Sequence, residues 1–289
     1  MSKLNLIGHK FYLNNFVALY NKNKLPSKIL LSGKKGIGKS LLVKNFLFHV
    51  LDNETAKLLV KKETHANVLN IKKKDDKKNI EIDQIREIVK FTNQSSFNNK
   101  SRFIIIDDAE YLNTNSSNAL LKSLEEPNNN VYFFLIYNSE MNILDTIKSR
   151  CLEHKIYLKL EDTKSIVENY FDEKIFDFIS KDLKNYYSTP KFLISLIIFL
   201  RENNLPIDNT NINDLVKYII DNKNYNKDAF VKEYLNYIIE LFFYNHISIT
   251  KKVSYKVKKY YYSQLSNIKK FNLDYEIFFL EFKDKLLSE

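Results

Sequence analysis

Residues 33–40 read Gly33-Lys-Lys-Gly-Ile-Gly-Lys39-Ser40, and this stretch decides the fold. It holds three of the four glycines in a chain of 289 residues, which indicates backbone positions where a side chain would not fit. The apolar run at 28–32 is typical of a buried strand, and apolar residues recur at helical spacing from 40 to 51. A strand, a glycine loop and a helix in this order begin a βαβ unit, so the sequence predicts an α/β fold with a parallel sheet.

The same stretch matches the pattern G-x-x-x-x-G-K-[ST] in full, which is the signature of a phosphate-binding loop, or P-loop. Glycines let backbone N–H groups turn inward around phosphate oxygens. Lys39 is predicted to reach the β and γ phosphates of ATP, and Ser40 to offer its hydroxyl to Mg²⁺. A glycine turn that keeps this shape but binds nothing is the alternative. The candidate ATP-binding residues of the loop are Gly33, Lys34, Lys35, Gly36, Ile37, Gly38, Lys39 and Ser40.

An apolar run at 103–106 ends in two adjacent carboxylates, Asp107 and Asp108. A P-loop requires a partner strand that carries a carboxylate to the metal shell, and Asp107 is predicted to fill that role with Ser40. A carboxylate at the next position can orient the attacking water, which makes Asp108 a candidate catalytic residue. Asp108 is one methylene shorter than the glutamate usual in active ATPases. We therefore expect nucleotide binding and leave hydrolysis open.

The remaining periodicity divides the chain into an α/β part and a helical part. Further strands are predicted at 67–71, 131–137 and 152–158, with helices at 9–22, 81–93 and 116–126, and a short helix or turn at 143–150. The charged run at 72–79 is predicted to be an exposed loop. Beyond residue 160 helices are predicted at 162–170, 173–181 and 190–201, and a linker at 202–210. The predicted domains are 1–159, 160–204 and 205–289.

Composition excludes several classes of protein. With 44% hydrophobic and 28% charged residues the chain is typical of a globular protein, and no apolar run is long enough to span a bilayer. The N-terminal residues do not resemble a signal peptide, so a cytoplasmic location and no membrane partner are expected. Cys151 is the single cysteine and the five histidines are scattered, which argues against zinc. The net charge of +10 is compatible with an anionic partner, although a lysine-rich composition also has this effect.

Three further blocks give the sequence a specific resemblance. Residues 117–127 (Ser-Asn-Ala-Leu-Leu-Lys-Ser-Leu-Glu-Glu-Pro), 149–151 (Ser-Arg-Cys) and 82–86 (Ile-Asp-Gln-Ile-Arg) resemble the clamp-loader branch of the AAA+ ATPases, over roughly the first 200 residues. The resemblance implies an AAA+ P-loop domain with a parallel sheet, a small helical lid and an all-α collar for oligomerisation. It also implies a ring of five subunits that opens a sliding clamp and loads it onto primed DNA.

The resemblance implies roles for individual residues. Arg150 would be an arginine finger that enters the ATP site of a neighbouring subunit in trans, and its alternative is an ion pair with a nearby carboxylate. Asn138 would be the polar sensor near the γ-phosphate. Lys191 would occupy the place of a phosphate-sensing arginine in the lid, although lysine lacks the bidentate fork. The segment 7–9 (Ile-Gly-His) would line the adenine pocket.

Within the family, the sequence resembles the δ′ type of bacterial subunit, which contributes the Ser-Arg-Cys arginine and commonly has a weak or silent site of its own. The implied partners are γ/τ and δ subunits in a hetero-pentamer, together with the sliding clamp and primed DNA. An ATPase subunit of the γ/τ type is the alternative. It normally carries a cysteine zinc module before the acidic strand and Asp-Glu where this chain has Asp107-Asp108. Many δ′ relatives also carry the zinc module, so its absence departs from both types.

Two readings from other classes stay open. A stand-alone P-loop enzyme such as a small-molecule kinase would need substrate-binding residues and an arginine lid within its own chain, and neither is evident. A non-catalytic nucleic-acid-binding protein is suggested by the interleaved lysines and tyrosines at 251–262. On a helix, such residues more often form a solvated face with an aromatic core side.

Overall fold

The computed structural model describes residues 6–51, 54–93, 100–125, 130–184, 188–249 and 253–287. The chain forms two compact units, Met1–Thr163 and Lys164–Glu289. The first contains α1 (Lys10–Asn21), β1 (Lys28–Gly33), α2 (Lys39–Val50), α3 (Glu54–Lys61), β2 (Val68–Ile71), α4 (Ile82–Asn93), β3 (Arg102–Ile106), α5 (Thr114–Glu125), β4 (Val131–Asn138), α6 (Asp145–Lys148) and β5 (Leu152–Lys155).

The first unit is built on a five-stranded sheet in which every pair of neighbouring strands is parallel, in the order β2-β3-β4-β1-β5. The three inner strands β3, β4 and β1 are buried along most of their length, as expected for apolar strands covered on both faces. Alternate residues face two separate core layers. One layer holds Phe134 with Phe16 of α1 and Phe46 of α2, and the other holds Phe133 with residues of α4 and α5. The predicted α/β fold with a parallel sheet is confirmed.

Two details of this unit differ from the sequence prediction. The last strand was expected to reach residue 158, but β5 ends at Lys155. Because β5 pairs only with β1, and β1 leaves the sheet at Gly33, the backbone beyond Ile156 has no partner strand. Helix α3 was not predicted at all. The loop at 72–79 is largely exposed, as expected.

The second unit is helical, and its residues share one aromatic-rich core. Its helices are α7 (Leu160–Phe171, which begins in the first unit), α8 (Pro190–Glu202), α9 (Ile212–Asp221), α10 (Asn224–Lys227), α11 (Ala229–Tyr244), α12 (Tyr255–Phe271) and α13 (Glu276–Leu286). Fully buried Phe192 of α8, Phe242 of α11, Tyr261 of α12 and Phe282 of α13 belong to the same cluster. In the part of the chain that the structure describes, no helix has the length and hydropathy to cross a membrane.

The predicted helix at 173–181 is wrong. This segment forms only a single 3₁₀ turn at Phe176–Phe178, although Phe176 and Ile179 are buried as the periodicity suggested. Side chains take the place of a helical hydrogen-bond ladder. Asp182 accepts hydrogen bonds from the Ser180 hydroxyl at 2.5 Å and from the Ile212 N–H at 2.7 Å. The bond from Ser180 is local and offers the backbone an alternative to the helix, whereas the bond from Ile212 comes from a distant part of the sequence.

Helices α8 and α9 begin where their capping residues place them. Pro190 stands in the first turn of α8 behind the N-cap Thr189, and Asn211 forms a capping box with Asp214 at the start of α9. The connection between them agrees with the predicted linker. The predicted boundary between residues 204 and 205 falls inside the second unit, so the division into lid and collar stays a prediction. The end of the predicted helix at 116–126 and Pro127 lie outside the described residues.

Candidate phosphate-binding site

The glycine loop joins the carboxyl end of β1 to the amino end of α2. Gly36 and Gly38 have φ angles of 87° and 95°, a region that favours glycine. A β-carbon on Gly33 would lie 2.6 Å from the backbone oxygen of Ile156, so the approach of the segment after β5 requires glycine there. Gly38 of the loop is the N-cap of α2, so the loop leads directly into a helix N-terminus, which favours an anion.

Lys39 lies at the centre of this loop. Its side chain is buried, and Nζ donates hydrogen bonds to the backbone oxygens of Gly33 at 2.6 Å and Lys34 at 2.8 Å. Burial lowers the pKa of Lys39 to about 8, and the nearby carboxylates, Asp107 foremost, oppose that shift. The carbonyl oxygens of the loop thus hold the Lys39 ammonium group inside the loop. The phosphate oxygens of a bound nucleotide would lie in the same place.

The Ser40 hydroxyl donates to Oδ2 of Asp107. Asp107 follows β3, and its backbone N–H donates to Ile71 at the end of β2, which fixes the carboxylate at the carboxyl edge of the sheet. A hydroxyl beside a carboxylate is an oxygen pair of the kind that Mg²⁺ accepts, so these two residues fit a nucleotide-bound Mg²⁺. Three or more metal-ligating side chains do not come together among the residues that the structure describes.

Asp108 and Asn138 complete this edge. Asp108 has a φ angle of 58°, and its N–H donates to Oδ1 of Asp107 at 3.1 Å. Asn138 ends β4 directly beside Gly33 of β1, and its side-chain oxygen accepts the N–H of Glu140 at 3.1 Å. The structure therefore brings together the predicted loop, Asp107, Asp108 and Asn138.

Glu110 is a residue of this edge that sequence reasoning missed. Its Oε2 accepts the backbone N–H of Asn138 at 3.1 Å. Burial raises the pKa of the Glu110 carboxyl above its ordinary value, and Lys39 acts in the opposite direction. The available signal was its position, three residues beyond Asp107 at the carboxyl end of a central strand.

His9 binds the glycine loop from the side of α1. The His9 ring is buried, and Nε2 lies 2.6 Å from the backbone oxygen of Ile37, so Nε2 carries the proton and donates. Its Nδ1 is buried and has no hydrogen-bond partner among the described residues. Burial lowers the pKa of His9. The preceding Gly8 has a φ angle of 78°, which favours glycine, and a β-carbon there would lie 2.3 Å from Leu158 Cδ1. His9 thus holds this segment against the P-loop, and the role of residues 7–9 in lining an adenine pocket stays a prediction.

Arg150 lies elsewhere, in the turn after α6. Its Nε and Nη2 donate to Oε1 of Glu125 at 3.0 and 2.7 Å, and its Nη1 donates to the backbone oxygen of Thr146 at 3.1 Å. The ion pair considered as the alternative to the finger role is therefore present within the chain. It does not decide the role, since the same guanidinium is partly exposed.

The sheet separates Arg150 from the P-loop of the same chain. Leu152, two residues after Arg150, pairs with Ile29 near the amino end of β1, whereas the loop leaves β1 at Gly33. Four residues of parallel strand correspond to about 13 Å. Arg150 therefore lies at the amino edge of the sheet, and the P-loop lies at the carboxyl edge.

Lys191, the predicted phosphate-sensing residue of the lid, belongs to the second unit. It lies in the first turn of α8, and Nζ contacts Oε1 of Glu233 on α11 at 2.7 Å. This pair is internal to the second unit, and the phosphate role of Lys191 stays a prediction.

A parallel sheet with a glycine loop after β1 and a carboxylate after β3, which β4 separates from β1, defines the class of P-loop proteins. Within that class, residues 8–159 match the model of the family described as DNA polymerase III, delta subunit. This stretch is more than half of the chain, and the chain belongs to this family. The family resemblance seen in the sequence is thereby confirmed.

Individual relatives agree with this placement. The chain is 33% identical to DNA polymerase III subunit δ′ of Pseudomonas aeruginosa over 134 residues, 43% of this chain and 41% of that protein. It is 26% identical to DNA polymerase III subunit gamma of Buchnera aphidicola from Schizaphis graminum over 220 residues, 71% of this chain and 61% of that protein. The matches thus cover less than two thirds of either relative.

The chain is also similar to the solved structure of a DNA polymerase III gamma subunit-related protein from Thermotoga maritima. The similarity covers 79% of this chain and 90% of that one, with 18% identity and a TM-score of 0.45.

Proposed function

We propose that this chain is a δ′-type subunit of the DNA polymerase III clamp loader, acting in the cytoplasm. In this proposal it binds ATP with Mg²⁺ at its own P-loop and supplies Arg150 to the site of a neighbouring subunit. The observation that carries the proposal is the placement of a complete P-loop and Arg150 at opposite edges of one sheet.

The chain's own residues define what the P-loop edge does. Lys39 and the loop N–H groups would hold the phosphates, and Ser40 with Asp107 would hold Mg²⁺. An ATP–Mg²⁺ complex held there would supply a phosphoanhydride bond for hydrolysis. The short side chain of Asp108, held next to Asp107, is the reason to expect slow turnover by this chain alone.

The position of Arg150 at the amino edge of the sheet supports a role in trans. A guanidinium about 13 Å along the strands from its own P-loop serves a phosphoryl group only in another chain. There it would stabilise the charge that develops on the transferring phosphoryl group. A contact between the amino edge of one subunit and the carboxyl edge of the next is heterologous, and repeated contacts of this kind build rings or open helices.

The implied partners are γ/τ and δ subunits, the sliding clamp and primed DNA. Relatives named δ′ and gamma both match this chain, so a γ/τ-type ATPase subunit is the second candidate. Asp108, which stands where a γ/τ-type ATPase subunit normally has glutamate, favours the δ′ type. A stand-alone P-loop enzyme has no comparable support.

Co-expression with γ and δ subunits of the same source, followed by size exclusion, tests the assembly. We expect the chain to elute with both partners, and a chain that elutes alone would contradict the proposal. In the assembled complex, Arg150→Ala is expected to abolish the ATPase contribution of the neighbouring site while this chain still folds and assembles. Arg201→Ala is the matched control, because Arg201 is also a partly exposed arginine paired with a glutamate at 2.7 Å. Unchanged ATPase activity of the Arg150→Ala complex would rule out the finger.

A further inference from the structure

The carboxylate that meets Arg150 is itself firmly placed. Glu125 is the last residue of α5, and the preceding Leu124 is fully buried. On the other side, α6 is anchored by fully buried Ile147, and the Arg150 N–H donates to the Ile147 oxygen at 3.1 Å. Leu124 and Ile147 belong to the same core layer beneath the sheet. The two partners of the ion pair thus project from elements that a common core fixes.

Contacts within the chain engage all three nitrogens of the guanidinium. Nε and Nη2 converge on a single oxygen of Glu125, and Nη1 contacts the Thr146 oxygen and, at 3.5 Å, the Ser149 hydroxyl. Arginine has five N–H groups in a rigid fork, and these four contacts leave one N–H on Nη2 without an acceptor among the described residues. The side chain keeps 35% of its surface exposed. Arg150 is therefore oriented by its own chain and still presents a donor outward.

We propose that Glu125 is a positioning residue for Arg150, which holds the guanidinium in the orientation that a neighbouring subunit's phosphoryl group requires. This inference rests on the proposed function, in which Arg150 acts in trans. A free arginine side chain loses many rotamers when it is fixed, and a carboxylate that restricts it beforehand reduces this loss. Glu125 touches no reacting atom, and its whole effect passes through Arg150.

A double-mutant cycle in the assembled complex tests this inference. The variants are Glu125→Gln, Glu125→Ala, Arg150→Ala and the combination of Glu125→Gln with Arg150→Ala, measured by steady-state and single-turnover ATP hydrolysis. We expect Glu125→Gln to lower kcat about two- to fivefold, the range that an exposed ion pair contributes, with Glu125→Ala at least as low. The KM for ATP should stay unchanged. In the Arg150→Ala background, Glu125→Gln should have no further effect.

The control variant is Glu173→Gln, which removes the partner of Arg201 at a comparably exposed pair and should leave hydrolysis unchanged. Thermal melting of each chain separates folding defects from loss of rate. If Arg150→Ala itself has no effect, the proposed function fails. If Arg150→Ala lowers the rate, three results would overturn the role of Glu125: no change in Glu125→Gln, a faster rate, or the same loss in the Arg150→Ala background.

Discussion

The two edges of the sheet differ in how their key side chains are held. At the carboxyl edge, Lys39 and His9 are buried against backbone carbonyls of the loop. At the amino edge, Arg150 and Glu125 form a pair in which each side chain is at least one third exposed. An edge whose side chains are buried and hydrogen-bonded to the loop backbone is suited to a ligand that it encloses. An exposed, oriented side chain is suited to a partner that covers it.

The largest expected contrast is in nucleotide binding by the isolated chain. Lys39→Ala removes the buried ammonium and should weaken ATP binding by about 10- to 150-fold, the range for hydrogen bonds to charged groups. Arg150→Ala should leave the dissociation constant unchanged. Titration of a fluorescent ATP analogue into each variant measures this difference. Equal loss in both variants would show that the two edges do not work separately.

Stability should distinguish the edges as well. Gly33→Ala places a β-carbon 2.6 Å from the Ile156 backbone oxygen, so backbone must move. We expect a loss of about 1–3 kcal/mol in the free energy of unfolding, as for other overpacked sites. Glu125→Ala on the exposed edge should change this free energy by less than about 0.5 kcal/mol. Urea unfolding of both variants provides the comparison, and a larger loss in Glu125→Ala would reverse it.

The pH dependence of ATP binding should depend on Lys39 at the carboxyl edge and not on residues of the amino edge. In the proposed function Lys39 binds phosphate in its protonated form, and burial lowers the pKa of Lys39 to about 8. Raising the pH from 7 to 9 should therefore weaken binding, by up to about tenfold for one proton lost one unit above the pKa. Lys39→Arg, which stays charged, should bind with little change over the same range. A wild-type curve as flat as that of Lys39→Arg would contradict the lowered pKa.

The smallest expected effect concerns His9 in acid. Burial lowers the pKa of His9 below its ordinary value of 6.5, while Asp162 raises it and Lys39 lowers it. The unfolded chain therefore binds a proton at His9 before the folded one does. Stability from this group is complete above pH 6.5 and declines as the pH falls toward the folded pKa.

His9→Gln keeps a side-chain N–H donor for the Ile37 oxygen but does not titrate. Between pH 7 and 5 it should lose less stability than the wild type, by under about 1 kcal/mol. His65 and His154, whose pKa values burial also lowers, remain in both proteins, so the difference isolates His9. If the wild type and His9→Gln lost the same unfolding free energy between pH 7 and 5, the lowered pKa of His9 would be contradicted.

The sequence predicts the carboxyl edge well because its chemistry is local. Residues 33–40 specify both the turn and the candidate phosphate-binding groups. An apolar strand that ends in Asp107 indicates where the carboxylate lies. The pairing of Glu125 with Arg150, 25 residues apart, depends on how α5 and α6 pack under the sheet, which no local pattern encodes. The wrong helix at 173–181 has a similar origin, since Asp182 bonds to Ile212 from a distant part of the sequence. The salt bridge of Lys191 with Glu233 likewise links residues far apart in the chain.

In the proposed function, each subunit has its P-loop at one edge of the sheet and its arginine at the other, so contacts between subunits run head to tail in one direction. In an open row of n such subunits, only n − 1 junctions pair an arginine with a P-loop. One end of the row is left with an arginine that meets no P-loop, and the other end with a P-loop that meets no arginine. The subunit at this second end inserts its arginine into the ATP site of its neighbour. Its own P-loop meets no arginine, so its own ATP site stays incomplete. At that terminal position the two edges are under separate constraints, and a shortened carboxylate such as Asp108 is compatible with an unaltered Arg150.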